Sequence, residues 1–304
     1  MNKLAILVVT YNRKELLKEN MAAIFNQTCQ EFDYYICDNA STDGTESIVK
    51  EQMRQHANLY YYNTGKNLGG AGGFSYGLKM IAQKDYDFCW LMDDDSIPQS
   101  DALEALARAA DTLGKESFSY LGSTVLWMDG TPCVMNQFVP GTNVYDNLRA
   151  TQNGLIPIEY GSFVGCFVNL LYTRKVGLPI KEFFIYGDDT EYTLRLHKEK
   201  PAYMCSQSVI IHKMDSNTRI GVSEVPVERI SRYQYSYRNR IYVFRNRRGY
   251  SWFKILYLYA KECAKVIIRA KDHKWKRLET LGKGFFAGLR FHPDIEMVET
   301  WKRE

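Results

Sequence analysis

The apolar run Phe88-Cys89-Trp90-Leu91-Met92 closes abruptly on three carboxylates, Asp93, Asp94 and Asp95. A run of this length followed by Ser96 and Pro98 predicts a buried strand whose last residues emerge at the carboxyl edge of a sheet, where open α/β sheets bind ligands. Alternate side chains of an extended chain share a face, so Asp93 and Asp95 would offer oxygens to one hard cation, Mg2+ or Mn2+, with Asp94 pointing elsewhere. The other reading of the triplet is a solvated acidic turn before a helix that begins near Asp101.

A second acidic site follows the aromatic stretch Phe183-Phe184-Ile185-Tyr186, which predicts a strand breaking at Gly187 into Asp188 and Asp189, with a helix over 190–198. Carboxylates at a helix start are favoured by its dipole and need no further role. In a partly apolar pocket one of them is a general base. Residues 208–213 predict a short strand ending on His212, an imidazole that is either structural or a third ligand beside two aspartates.

These groups need a scaffold, and the preceding chain supplies one. The aliphatic run 4–10 reads as a central parallel strand and ends in Tyr11-Asn12-Arg13. A helix is expected over 14–26, a strand over 34–37 ending in Asp38-Asn39-Ala40-Ser41-Thr42-Asp43-Gly44, a helix over 45–56 and a strand over 59–63. The glycine-rich loop 67–74 leads into a helix through Ala82, and its glycines would let backbone approach a ligand. It matches neither the G-x-x-x-x-G-K-[ST] nor the G-x-G-x-x-G pattern, which argues against kinase and dehydrogenase chemistry. Alternation at this spacing is a doubly wound, mostly parallel α/β sheet. Beyond the helix 101–113, a hairpin is expected from 120–128 through Asp129-Gly130 to 132–139, then a polar loop over 144–156 and a glycine-containing strand over 160–168.

The chain has 304 residues and a formal net charge of +4, unevenly placed. Residues 1–228 hold 20 Lys and Arg against 28 Asp and Glu, whereas 229–304 hold 19 against 7. The expected organisation is therefore a catalytic domain over 1–228 and a basic, aromatic, helical extension over 229–304 that meets something anionic. Seven scattered cysteines without a C-x-x-C pair suit free thiols in a reducing compartment, hence a cytoplasmic location. The amino-terminal apolar run is too short for a signal-peptide core, and no run of about 18 apolar residues exists to span a bilayer.

Taken together, Val8-Val9-Thr10-Tyr11-Asn12-Arg13, Asp38 to Gly44, Asn67-Leu68-Gly69-Gly70-Ala71-Gly72-Gly73, the aspartate triplet, and Gly187-Asp188-Asp189 with His212 resemble glycosyltransferase family 2, whose members are inverting enzymes with the GT-A nucleotide-sugar fold. The resemblance spans roughly residues 4–213. It implies a Rossmann-like GT-A sheet in which Thr10, Tyr11, Asn12, Arg13, Asp38 and Asn39 hold the nucleoside, with Asp38 accepting a base N–H, while Asn67 and Gly70 line the donor cleft. It implies that Asp93, Asp94 and Asp95 form the D-x-D element, with Asp93 and Asp95 binding Mn2+ or Mg2+ against the donor diphosphate and His212 as a third ligand. Asp189 matches the catalytic base of the family's E-D motif. The residue before it is Asp188 instead of Glu, which leaves the base between the two carboxylates. Within the family the pattern is most similar to galactofuranosyltransferases using UDP-galactofuranose, with rhamnosyltransferases using dTDP-rhamnose next.

The extension interleaves basic and aromatic residues over 232–248 and then predicts an amphipathic helix over 252–269. Such a segment packs on the catalytic body, forms an oligomer interface, or lies on an anionic membrane surface where a glycan or polyprenyl-diphosphate-linked acceptor would be found. Nucleic-acid binding through the same residues would leave the carboxylates unexplained and set an acidic body beside a polyanion, so nucleic acid is not an expected partner.

Overall fold

The computed structural model describes residues 2–136, 138–141, 145, 150–151 and 154–299. Much of the expected polar loop over 144–156 lies outside them.

Strand β1, Leu4–Thr10, is buried at every position, as a continuous aliphatic run requires. It pairs in parallel with β2, Phe32–Asp38, and with β4, Phe88–Asp93, while β3, Leu59–Asn63, continues the parallel set beyond β2. The register sets Thr10 opposite Asp38 and Val9 opposite Asp93, so the polar residues that end three separate runs arrive at one edge.

Alternation then divides the core. Ile6, Val8, Tyr34, Ile36, Trp90 and Met92 face one layer, which includes α1, Lys14–Phe25, and α4, Ala102–Leu113. Leu7, Val9, Tyr35, Cys37 and Leu91 face the other, with α3, Gly69–Ala82. Helix α2, Thr45–Met53, completes the amino-terminal half.

The sheet continues through mixed pairing in the order β3-β2-β1-β4-β9-β6-β10-β8-β7. Here β6 is Tyr120–Trp127, β7 Val139–Pro140, β8 Leu155–Tyr160, β9 Cys166–Asn169 and β10 Ala202–His212, and the short β5, Ser96–Pro98, pairs with β10. Two further helices, α5 (Leu170–Val176) and α6 (Asp188–His197), follow β9.

Four expectations need correction. The glycines of 67–74 do not form a loop: from Gly69 on they are the first turns of α3. A Cβ on Gly73 would stand 2.5 Å from Val9 Cγ1, and one on Gly77 2.5 Å from Leu7 Cδ1, so these glycines let the helix lie close on β1. Residues 183–186 are not a strand. A 3-10 turn, Lys181–Phe183, leads into Phe184 and Tyr186, both at positive φ.

The expected hairpin partner over 132–139 also fails to form: a single Leu126–Pro132 bridge, flanked by bonds from the Trp127 N–H to the Thr131 carbonyl at 2.8 Å and from the Cys133 N–H to the Val125 carbonyl at 3.0 Å, gives way to a turn at 134–136. Finally, 160–168 is not one strand: β8 ends at Tyr160 and β9 begins at Cys166, after Gly165 at a φ of +74°, where an added Cβ would clash with Ser123 and Ile210.

The extension contains a 3-10 segment, Val227–Arg232, then α7 (Tyr233–Asn246), α8 (Trp252–Arg269) and α9 (Lys274–Leu289). Packing onto the body falls to α7, whose Tyr242 and Val243 join Ile180, Phe183 and Leu194. After α9 the chain returns to the body, where Glu296 pairs with Lys79 at 2.6 Å and Lys181 at 2.8 Å.

Candidate active site

The three aspartates do not share one extended conformation. β4 ends at Asp93, and Asp94 and Asp95 form a turn before β5, so the simple alternation expected for Asp93 and Asp95 gives way. The turn is stabilised by donors from the end of β1. Thr10 Oγ1 donates to Asp94 Oδ2 at 2.7 Å, the Tyr11 N–H also reaches Asp94, and Arg13 donates to Asp95 Oδ2 at 2.6 Å and to Asp94 Oδ1 at 3.4 Å. Asp94 and Asp95 are buried, and buried carboxylates need such partners.

Burial and crowding shape the charges. Desolvation and then repulsion from Asp95 push Asp93 up to about 7. Desolvation raises Asp94 to about 6 against the pull of Arg13. Asp95 resists its own burial and stays below the usual carboxylate range, because His212 and Arg13 both stabilise its charge.

His212, at the end of β10, sets Nε2 3.0 Å from Asp95 Oδ1 and Nδ1 2.8 Å from Asn136 Oδ1. Burial alone would lower this imidazole, yet the Asp95 hydrogen bond and the neighbouring charges carry it up to about 10. The turn after Pro132 brings the Asn136 amide to His212, with Nδ2 donating to Ser162 Oγ at 3.0 Å.

Asp188 and Asp189 occupy the first turn of α6, two residues earlier than expected, where the helix dipole favours negative charge. Desolvation, then repulsion from Asp189, raises Asp188 well above its ordinary value, and the charge of Asp93 contributes to the same shift. The two acidic sites, separated by nearly a hundred residues, therefore lie within electrostatic reach across the sheet edge. Asp189 is also raised by burial, against stabilisation from the Thr190 N–H, which donates to its Oδ1 at 2.6 Å.

The remaining expected donor residues divide into two groups. Asp38 is fully buried: Oδ1 accepts from the Ser41 N–H at 2.8 Å and Oδ2 from the Tyr61 hydroxyl at 2.6 Å. These two donors fix its carboxylate at the base of the strand-end loop. Asn39, also buried, donates to the Gly69 carbonyl at 3.0 Å and ties the second strand end to α3.

Tyr11, Asn12 and Arg13 are exposed beside the site. Asn12, at a φ of +52°, accepts from the Thr42 N–H at 2.7 Å and joins the first two strand-end loops. Asn67 is exposed and accepts from the Gly69 N–H at 2.8 Å, and open space lies where a Gly70 Cβ would be.

One residue that sequence reasoning passed over is Asn239 of α7. Fully buried, it directs Nδ2 at the carbonyls of Phe183, Ile185 and Tyr186, at 2.9, 3.1 and 2.8 Å. These bonds replace the ladder a strand would have made and hold the positive-φ turn that presents Asp188 and Asp189. The sequence signal was an uncharged polar residue between Arg238 and Arg240 in the basic tail.

Among the described residues no three His, Cys, Asp or Glu side chains are grouped to enclose a metal ion. The donor chemistry nonetheless suits a divalent cation. Asp95 meets His212 at 3.0 Å and Asp93 lies within electrostatic reach of both, so oxygen and imidazole donors of the kind such a cation takes stand near one another.

Comparison with known proteins agrees with this geometry. The family model described as Glycosyl transferase family 2 matches residues 5–171, more than half of the chain. Galactofuranosyltransferase GlfT1 of Mycobacterium tuberculosis (strain ATCC 25618 / H37Rv) is 26% identical over 299 residues, covering 91% of this chain and 94% of its own. The GalNAc(5)-diNAcBac-PP-undecaprenol beta-1,3-glucosyltransferase of Campylobacter jejuni is 26% identical over 229 residues, covering 74% of this chain and 69% of its own. Among solved structures, GalNAc-T7 with UDP, GalNAc and Mn2+ superposes with a TM-score of 0.62 at 12% identity, covering 93% of this chain and 55% of that one, a likeness of fold. The chain is a GT-A-fold enzyme and belongs to glycosyltransferase family 2.

Proposed function

We propose that the protein is an inverting, divalent-metal-dependent hexosyltransferase that moves galactofuranose from UDP-galactofuranose to a glycan carried on a polyprenyl diphosphate at the cytoplasmic face of a membrane. The observation that carries this reading is the meeting of two acidic sites at one sheet edge, the triplet at the end of β4 and the pair opening α6. The galactofuranosyl donor follows the full-length similarity to GlfT1, and the lipid-linked acceptor follows the undecaprenol-linked substrate in the name of the Campylobacter relative.

Asp93 and Asp95, with His212 as third ligand, would hold Mn2+ or Mg2+. When bound, the cation would offset negative charge developing on the departing nucleoside diphosphate. Arg13 lies beside the same carboxylates and is the chain's own cation toward that diphosphate. Tyr11 and Asn12 border the nucleoside, and Asn67 with Gly70 borders the sugar.

Asp189 takes the proton of the acceptor hydroxyl as its oxygen attacks the anomeric carbon on the face opposite the leaving group, which inverts that centre. Burial raises its affinity for a proton, which suits a base that must accept one near neutrality. Asp188, pushed upward by its burial and then by the charges of Asp189 and Asp93, is the protonated neighbour that limits repulsion within the pair.

The test is a donor screen reading nucleotide release with UDP-galactofuranose and dTDP-rhamnose, with Mn2+ and with EDTA. Turnover of UDP-galactofuranose that EDTA abolishes is expected. Preferential use of dTDP-rhamnose would move the reading to a rhamnosyltransferase, and EDTA-resistant turnover would remove the metal from it.

A further inference from the structure

Helix α8 has its apolar side facing the wrong way for a soluble protein. Phe253, Leu256, Tyr257, Ile267 and Ile268 are 86%, 49%, 64%, 56% and 79% exposed, whereas Ile255 and Val266 on the opposite side are buried against α7 and α9. At 100° per residue the exposed five fall within one stripe about 120° wide, with the exposed Ala260 and Ala264 between them. The helix thus has two apolar faces, of which the protein uses one. Along one border of the exposed stripe stand Lys254 and Lys261, both exposed, and α9 adds Trp275, 86% exposed, between Lys274 and Lys276. Residues 252–289 hold nine Lys and Arg against three Asp and Glu.

We infer that this outward face of α8, with Trp275 of α9, is a lipid-contacting surface that seats the protein on an anionic bilayer. A stripe of bulky apolar side chains bordered by lysines is the pattern of a helix lying in the plane of the interface. The apolar groups enter the acyl boundary and the ammonium groups stay with the headgroup phosphates. Tryptophan beside lysines belongs at the same depth. No helix among the described residues is long and apolar enough to cross a membrane, so the contact is one of lying on the surface.

Charge decides between a bilayer and a second copy of the chain. Two copies meeting through this face would bring the lysines of one against those of the other, and the three acidic residues of 252–289 are already paired within the chain, with Lys265, Arg277 and Lys283. An anionic lipid surface supplies the missing counter-charge across the whole stripe. The inference deepens the acceptor reading above and rests on it for the purpose of the contact, but lipid binding is measured without donor or acceptor.

The experiment is co-sedimentation of the full chain with phosphatidylglycerol-containing vesicles and with pure phosphatidylcholine vesicles, at low and high salt, alongside sedimentation velocity without lipid. The variants are Phe253→Ser with Ile268→Ser, and Lys254→Glu with Lys261→Glu; these positions are exposed, so both proteins should keep the wild-type circular dichroism.

Wild type is expected to partition onto the anionic vesicles and to release in salt, with each double variant weakened about ten-fold or more. Absence of binding to anionic vesicles, or equal binding by the Phe253→Ser/Ile268→Ser variant, would overturn the assignment. So would a dimer that this variant abolishes. A failed donor screen together with intact vesicle binding would sink the proposed reaction and leave the surface standing.

Discussion

The sheet edge and the outer face of α8 break the ordinary rule of burial in opposite senses. At the edge, carboxylates are buried: Asp94 and Asp95 lie inside, with Asp93 and Asp188 pushed toward neutrality. On α8, large apolar side chains stand in water beside a well-packed inner face. Each arrangement costs stability in the isolated chain, and under the proposals made above each would be relieved by a partner outside it. At the acidic edge Arg13 and His212 are the cations that face the triplet among the described residues, and the outer face of the helix is exposed. A departure from the burial rule that internal contacts do not repay is a good guide to where a protein meets something else.

Substitutions test that contrast from the strongest effect downward. Asp189→Asn is expected to lower kcat by about 10^2- to 10^4-fold, the usual contribution of a general base, while donor binding measured by calorimetry stays near wild type. If Asp188→Asn showed that loss and Asp189→Asn did not, the base would be reassigned to Asp188.

Asn239→Ala removes the amide that holds three carbonyls before Asp188. A loss of about 1–3 kcal/mol in denaturant unfolding is expected, for leaving buried acceptors unpaired. kcat should fall with KM for the donor little changed, because the residue positions the turn without lining the donor cleft. A change in stability alone would make Asn239 purely structural.

The acidic edge also predicts a pH dependence. The folded protein holds a proton on Asp93 up to about 7, whereas the unfolded chain releases it near the ordinary carboxylate value. Its contribution to stability is therefore fully present below the unfolded value and is lost as pH rises through about 7. In EDTA, Asp93→Asn should raise the melting temperature at pH 8 more than at pH 4.5. An equal shift at both values would show that repulsion at the edge is not what Asp93 contributes.

The smallest effect belongs to α8. In buffer without lipid, Leu256→Ala should fall within about ±0.5 kcal/mol of wild type, as exposed substitutions do. Ile255→Ala, one residue away on the packed side, should cost about 2–5 kcal/mol. Equal costs would mean that the outer face is covered in solution.

Much of the amino-terminal half was readable in advance because its signals are local. A continuous aliphatic run such as 4–10 has few alternatives to a central strand, and each such run ended in polar residues that the parallel register brings into line. The two acidic sites were legible for the same reason. What failed were segments whose conformation is set from elsewhere. Phe183 to Tyr186 has the composition of a strand, but Asn239, more than fifty residues later, captures its carbonyls. The glycines from Gly69 read as a loop because their low helix propensity is local, while the space they leave for β1 is not.

By itself the chain determined which side chains would stand at the edge of a parallel sheet, since strand periodicity and the polar residues closing each run are written in neighbouring positions. Only the tertiary structure decided which of those groups oppose one another, that Asp93 feels Asp188 and that Asp95 is shared by Arg13 and His212. It also decided which of the two apolar faces of α8 is covered. The reason is the same in each case: electrostatic and packing energies depend on distances between residues far apart in sequence, and those distances exist only once the chain has folded.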